Sequence, residues 1–256
     1  MIEQNPGYVR SERHGQTMII EFFHPQSNSM PRALMTELAS HIHGAGFDDD
    51  IRVIVLRSFG DRAFCSGASF TELAQIKNSR EGEDFFSGFA HIINSMRKCP
   101  KFIVVRVQGK CVGGGVGIAA AADYAIAVTG AEIKLSELEI GIGPFVIGPA
   151  VERKLGLSAF SQLAIDAASW RTAEWAKTRG LYSEVHANLK DLDDSLEILV
   201  KHLSLLSFQA MKEIKKVLWQ GTSHWDQLLP ERAKISGQLI VSEMAQKAIA
   251  KFKPLN

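Results

Sequence analysis

The 256-residue sequence predicts an α/β fold with a helical C-terminal third. Three observations carry that reading. Short β-branched runs recur through the first two-thirds of the chain, stretches with helical spacing separate them, and strand signals fade after about residue 150. Strands separated by helices need crossover connections, so the sheet is expected to be largely parallel.

Taken in order, "TMIIEFF" (17–23) is apolar and β-branched enough for a strand, and "HPQSNS" (24–29) reads as the loop that follows. In "PRALMTELASHI" (31–42), Leu34, Leu38 and Ile42 recur one helical turn apart, with Pro31 tolerated in the first turn. "IRVIVLRS" (51–58) is a second strand, "FGDRAFCSGAS" (59–69) a loop and "FTELAQI" a helix. A longer helix over roughly 83–97 runs up to Pro100, and "KFIVVRVQG" (101–109) is a third strand. The glycine-rich stretch "VGGGVGIAAAAD" (112–123) comes next, then strands in "YAIAVT" (124–129) and "EIKLSE" (132–137). From "AVERKLG" onward the chain reads as helices, broken at "RGLYSEV" (179–185) and "GTSHWDQLLP" (221–230). No internal repeat with a 20–50 residue period is visible. The expected division is an α/β core carrying the site over 1–195 and a helical region over 196–256.

Hydrophobic residues make up 46% and charged residues 22%, with a net charge of +1, so no basic face is forced and nucleic acid is not the expected partner. No apolar run approaches the ~18 residues of a membrane span, and the opening lacks the basic-then-apolar pattern of a secretory leader. Cys65, Cys99 and Cys111 have no CxxC spacing and read as reduced, buried thiols, which points to the cytoplasm. The eight histidines show neither HxxxH nor HExxH spacing, so no metal site is expected.

Four glycines in five positions (113, 114, 115 and 117) are an expensive way to enter a helix, at about 0.5–1 kcal/mol each against alanine. The cluster follows a strand and precedes an alanine-rich helix, where free N–H groups converge on an anion or a developing negative charge. "FCSGAS" (64–69) is a second strand-to-helix turn of the same kind. Two such turns could aim two N–H donors at one oxygen, an oxyanion hole. They could equally be tight turns where helix and strand pack closely. A third reading is a dinucleotide loop, since "GVGIAA" (115–120) fits GxGxxA with Glu137 or Glu139 about 20 residues on, but "GKCVG" separates the motif from its strand. In "EIKLSELEIG" (132–141), Ile133, Leu135 and Glu137 share one strand face, so Glu137 extends an apolar row. A carboxylate there is either paired or has a raised pKa, and the latter suits a general base near neutrality. Glu139 falls on the same side and competes for the role.

"RAFCSGASF", "VQGKCVGGGVGIAAAADYAIA" and "IKLSELEIGIGP", in that order and spacing, resemble the enoyl-CoA hydratase/isomerase (crotonase) superfamily, and the resemblance extends over essentially the whole chain. It implies a crotonase-like fold, a spiral of ββα units in two roughly perpendicular sheets, with C-terminal helices making the contacts of a homotrimer or homohexamer. It also implies an acyl-CoA thioester as substrate and no separate cofactor, coenzyme A arriving as part of the substrate. The N–H groups of Ala68 and Gly114 would hold the thioester oxygen while an enolate forms. Asn28, Met30, Cys65, Ser66 and Gly67 would line the CoA path. Gly115, Gly117, Pro144 and Phe145 are counted with them as substrate-binding, and Lys251 or Lys253 would approach the CoA phosphates.

The sequence departs from the hydratase pattern where it matters most. Hydratases of this superfamily carry a glutamate two residues after the glycine triplet, and here that position is Gly117. The second glutamate is matched by Glu137, and the usual aspartate after the first oxyanion loop is Ser69. One base suffices for moving a double bond, so the resemblance favours an enoyl-CoA isomerase working through Glu137. The alternatives are an enoyl-CoA hydratase, on a branched or methylglutaconyl-type substrate for instance, another lyase, decarboxylase or thioesterase activity, or a catalytically weak acyl-CoA binder. Asp123 and the four tryptophans are expected to be structural.

Overall fold

Runs of Val, Ile, Phe and Ala build the centre of the molecule, seen here in a computed structural model describing residues 7–251. Strands β1 (Tyr8–His14), β2 (Thr17–Phe23), β3 (Val53–Ser58), β5 (Phe102–Val107), β7 (Tyr124–Val128) and β9 (Glu184–His186) form one six-stranded sheet in that order. Only β1 and β2, a hairpin turning at Gly15, are antiparallel; every later neighbour is parallel. A second sheet holds three very short parallel strands, β4 (Ala63–Cys65), β6 (Lys110–Val112) and β8 (Ile133–Lys134). Each follows a strand of the large sheet within a few residues: β4 after β3, β6 after β5, β8 after β7. The chain thus repeats a strand–strand unit three times, and the ends of the short strands all come out on one cleft.

One face of the large sheet is dry, while the other carries Glu21, Arg57 and Arg106 side by side. Ile20, Phe22, Ile54, Leu56, Ile103 and Val105 have no exposed surface. Helix α1 (Arg32–Phe47) packs on β1, β2 and α3 (Ser79–Lys98), while α7 (Leu189–Ser204) packs on β3, β5, β7 and β9. Helix α2 (Phe70–Leu73) is one turn long, α4 (Gly114–Ala120) follows β6, and α5 (Gly148–Ile165) and α6 (Ala173–Thr178) lead to β9. The chain finishes with α8 (Phe208–Leu218), α9 (Trp225–Ile240) and α10 (Glu243–Ala250).

The closest helix crossing is α3 against α9. A Cβ on Gly82 would stand 2.8 Å from the Gly237 Cα, and one on Gly237 would stand 2.4 Å from the Glu83 nitrogen. Backbone touches backbone there, which draws α9 over the cleft.

Helix α8 is fastened by charge. Lys215 Nζ donates to Asp123 Oδ2 (2.7 Å) and to the Lys101 carbonyl (2.8 Å), and Trp219 Nε1 donates to Asp123 Oδ1 (3.0 Å). Asp123 Oδ2 also accepts from the Ile103 N–H (2.7 Å), so this carboxylate joins β5, the end of α4 and α8, a structural part as expected.

Several expectations need correction. The strand read over 132–137 is confined to Ile133–Lys134, because the chain coils at Glu137 into a 3-10 turn (Glu137–Ile140). The helix read in "FTELAQI" ends at Leu73. Strand β9 begins within the break expected over 179–185, where no strand was read, and the boundary expected at 195/196 falls inside α7. "GKCVG" is no spacer before the glycine cluster, since Lys110–Val112 is itself strand β6. Among the described residues no helix is long and apolar enough to cross a membrane.

Candidate active site

The first loop leaves β4 at Gly67, whose φ of 86° lies in the left-handed region. A Cβ there would meet the Val112 carbonyl at 2.9 Å and the Gly114 nitrogen at 3.6 Å, so the two loops adjoin at this point. Met30 clasps the loop from behind: its N–H donates to the Gly67 carbonyl (2.8 Å), and its carbonyl accepts from the Ser69 N–H (3.2 Å). In this parallel bridge the residue between them, Ala68, turns its own N–H away from Met30. That N–H has no acceptor among the described residues. Ser69 Oγ accepts from the Glu72 N–H and caps α2, a structural task at the position where the superfamily usually has aspartate.

The second loop turns at Gly113, with φ 50° and ψ −114°. Gly114 follows as the first residue of α4, so its N–H has no acceptor within the helix and finds none elsewhere among the described residues. The remaining glycines make room for specific neighbours. A Cβ on Gly114 would lie 2.0 Å from the Phe89 ring, and one on Gly115 2.6 Å from the Cys65 carbonyl oxygen. On Gly117 it would lie 2.5 Å from Ile147 Cγ2. The space beside Gly117 is therefore filled by an isoleucine side chain.

Glu137 opens the 3-10 turn and points back over the glycine loop, its Oε1 2.8 Å from where a Gly113 Cβ would stand. The residue as a whole is half-buried, but its Oε2 is sealed from water and has no hydrogen-bond partner. Burial raises this carboxyl from its ordinary 4.5 to about 7. The 3-10 turn carries Glu139 the other way, where its carboxylate pairs with Lys134 at 2.7 Å. The expectation that Glu139 shares the Glu137 side is thus overturned, since coiling replaces the period-two strand that implied it.

These groups surround a narrow cleft with about 50 Å³ left for water-sized molecules. Its walls are apolar, formed by Phe86 and Phe89 of α3, by Ile140 and Ile142, and by Phe145 and Ile147. Of the sequence-derived residues, Ser66, Gly67, Ala68, Gly114, Glu137, Pro144 and Phe145 border it. Asn28, Met30, Cys65, Gly115 and Gly117 stand behind the wall. Asn28, at φ 54°, spends its amide on the loop itself, accepting from the His24 N–H and donating to the Phe59 and Ala63 carbonyls. Cys65 is fully buried, its thiol pushed up to about 12 by burial. Lys251 is exposed at the end of α10, and Lys253 lies outside the described residues. Sequence reasoning missed Phe89, Ile147 and Ser236, which also borders the cleft, because ordinary helical or loop patterning hides them.

The family model for enoyl-CoA hydratase/isomerase matches residues 12–253. The chain belongs to this family. Among relatives, it is 30% identical over 159 residues to the mitochondrial methylglutaconyl-CoA hydratase of Homo sapiens, covering 62% of this chain and 46% of that protein. It is 23% identical over 236 residues to a probable enoyl-CoA hydratase of Bacillus subtilis, covering 91% of each. The chain spans about half the length of the mitochondrial hydratases it matches. Among solved structures, an enoyl-CoA hydratase from Bacillus halodurans superposes with a TM-score of 0.88 at 22% identity, over 96% of this chain and 100% of that one. An enoyl-CoA hydratase/isomerase from Marinobacter aquaeolei gives 0.78 at 26% identity, over 88% of both. The fold is crotonase-like, as the sequence motifs imply. The family works on acyl-CoA thioesters, and among the described residues no three His, Cys, Asp or Glu side chains come together to hold a metal ion.

Proposed function

We propose that this chain isomerises the double bond of a 3-enoyl-CoA, with Glu137 carrying the proton. The thioester oxygen accepts hydrogen bonds from the Ala68 and Gly114 N–H groups. The Glu137 carboxylate takes a proton from the α-carbon, and the electron pair of that C–H bond spreads into a dienolate whose oxygen the two donors stabilise. The same carboxyl, now protonated, returns the proton to the γ-carbon, and the double bond comes to rest between the α- and β-carbons. No water is consumed. A carboxyl with a pKa of about 7 divides its time between the two forms this shuttle requires.

The observation that carries the reading is Ile147 against Gly117. Hydration needs an activated water at the β-carbon, and the space where a hydratase would hold its first carboxylate, beside Gly117, is occupied by an apolar side chain. Hydration remains the second reading, favoured by the names of the relatives. It would leave Glu137 to activate water alone, because Glu139 is tied to Lys134.

The assembly we propose is a homotrimer or a dimer of trimers. Ile198, Leu205, Ile214 and Val217, on or beside α7 and α8, are all more than half exposed and give the C-terminal helices apolar surface to bury. Three buried, unpaired thiols support a reducing compartment such as the cytoplasm. Incubation with hex-3-enoyl-CoA and with crotonyl-CoA tests the reaction. Conversion of the first to hex-2-enoyl-CoA is expected, and hydration of the second to 3-hydroxybutyryl-CoA as the faster reaction would contradict it.

A further inference from the structure

Among the described residues, four with polar side chains border the cleft: Ser66, Ser136, Glu137 and Ser236. Glu137 is assigned to the proton, and the Ser66 hydroxyl donates to the Gln26 carbonyl (3.3 Å). The hydroxyls of Ser136 and Ser236 have no hydrogen-bond partner among the described residues.

Ser236 is the more telling of the two. It lies well inside α9 and is only 1% exposed. A serine inside a helix usually satisfies its hydroxyl on the carbonyl four residues back. Ser40, Ser87 and Ser204 do so in this chain, at 3.0, 2.7 and 2.8 Å. Ser236 does not bond to Arg232 in this way and borders the cleft instead. The Gly82–Gly237 crossing brings it there by letting α9 sit directly on α3. A hydroxyl without a protein partner that opens onto an otherwise apolar cleft offers its hydrogen bond to whatever enters, water or a polar group of a ligand.

We infer that Ser236 is a specificity residue: its hydroxyl bonds a neutral oxygen, a hydroxyl or ketone, carried on the acyl chain beyond the β-carbon. The inference rests on the acyl-CoA reading above. The thioester oxygen already has two backbone donors, so the oxygen meant for Ser236 is a different one. It is neutral because, among the described residues, no Lys, Arg or His borders the cleft to offset a distal carboxylate, which would also face Glu137. Ser136, beside Glu137, is the second hydroxyl available to the same group.

Calorimetric titration with hexanoyl-CoA and its 4-, 5- and 6-hydroxy analogues tests this on the intact protein. The preference, Kd for hexanoyl-CoA over Kd for each analogue, is read within each variant. For the wild type at least one analogue is expected to bind about tenfold tighter than hexanoyl-CoA. Ser236→Ala is expected to bring that ratio to about one, and Ser236→Thr, which keeps the hydroxyl, to retain it. A wild-type ratio near one for every analogue overturns the inference, as does a preference that survives Ser236→Ala. Either result leaves the acyl-CoA reading standing, whereas failure of hexanoyl-CoA itself to bind removes both.

Discussion

Glu137 owes its chemistry to what it lacks. Its Oε2 has neither a hydrogen-bond donor nor a cation, so desolvation sets the pKa at about 7. Activity should therefore rise through about pH 7 as the carboxylate forms, losing about tenfold per pH unit on the acid side. The same displacement has a sign in stability. The unfolded carboxyl ionises near 4.5 and the folded one near 7, so the folded state binds the extra proton and is favoured at low pH. That contribution is lost as pH rises from 4.5 to about 7, and it amounts to roughly 3 kcal/mol. Glu137→Gln should abolish isomerisation and yet unfold at higher urea than wild type at pH 8, with the difference vanishing near pH 4. Gly117 makes the complementary prediction. Gly117→Glu alone collides with Ile147 and should gain no hydration of crotonyl-CoA, while Gly117→Glu with Ile147→Gly should raise it above wild type. The glycines and the lone glutamate were legible in the sequence because their residue types are unusual for their places. Ile147 was not, since an isoleucine thirty positions from Gly117 gives no sign of which glycine it covers.

At the scale of elements, the longest strands were the easiest to read. "TMIIEFF" forms β2 over the residues expected, and β3 and β5 begin within two residues of expectation. The short strands β4 and β6 were hidden because three residues are too few to display a period of two, while β8 was read but too long. The misreading of 132–137 has the same origin: apolar alternation at Ile133 and Leu135 reflects burial, and the chain coils as soon as that burial ends. The junction of α8 with the sheet was legible only as Asp123, because its partners lie more than ninety residues away. Lys215 and Asp123 are both almost fully buried, so Lys215→Ala leaves a desolvated carboxylate behind. A loss of about 3–5 kcal/mol is expected from denaturant unfolding, with only a small loss if Asp123→Asn is added.

For the molecule as a whole, the sheets hold the loops at Gly67 and Gly113 and α9 closes the cleft over them. Gly237→Ala should lever α9 from α3, costing about 1–3 kcal/mol in stability and lowering affinity for acyl-CoA. Sedimentation should give three or six times the monomer mass, and Ile214→Asp with Val217→Asp should shift it toward the monomer. The central claim, a single carboxyl moving one proton between two carbons, has a direct measurement. The protein is incubated with hex-3-enoyl-CoA in deuterated water, and the thioester products are read by mass spectrometry and NMR. The account predicts hex-2-enoyl-CoA from the wild type, its γ-carbon carrying mostly the hydrogen taken from the α-carbon rather than deuterium, and no product from Glu137→Gln. Accumulation of 3-hydroxyhexanoyl-CoA as the main product, or full activity in Glu137→Gln, would contradict it.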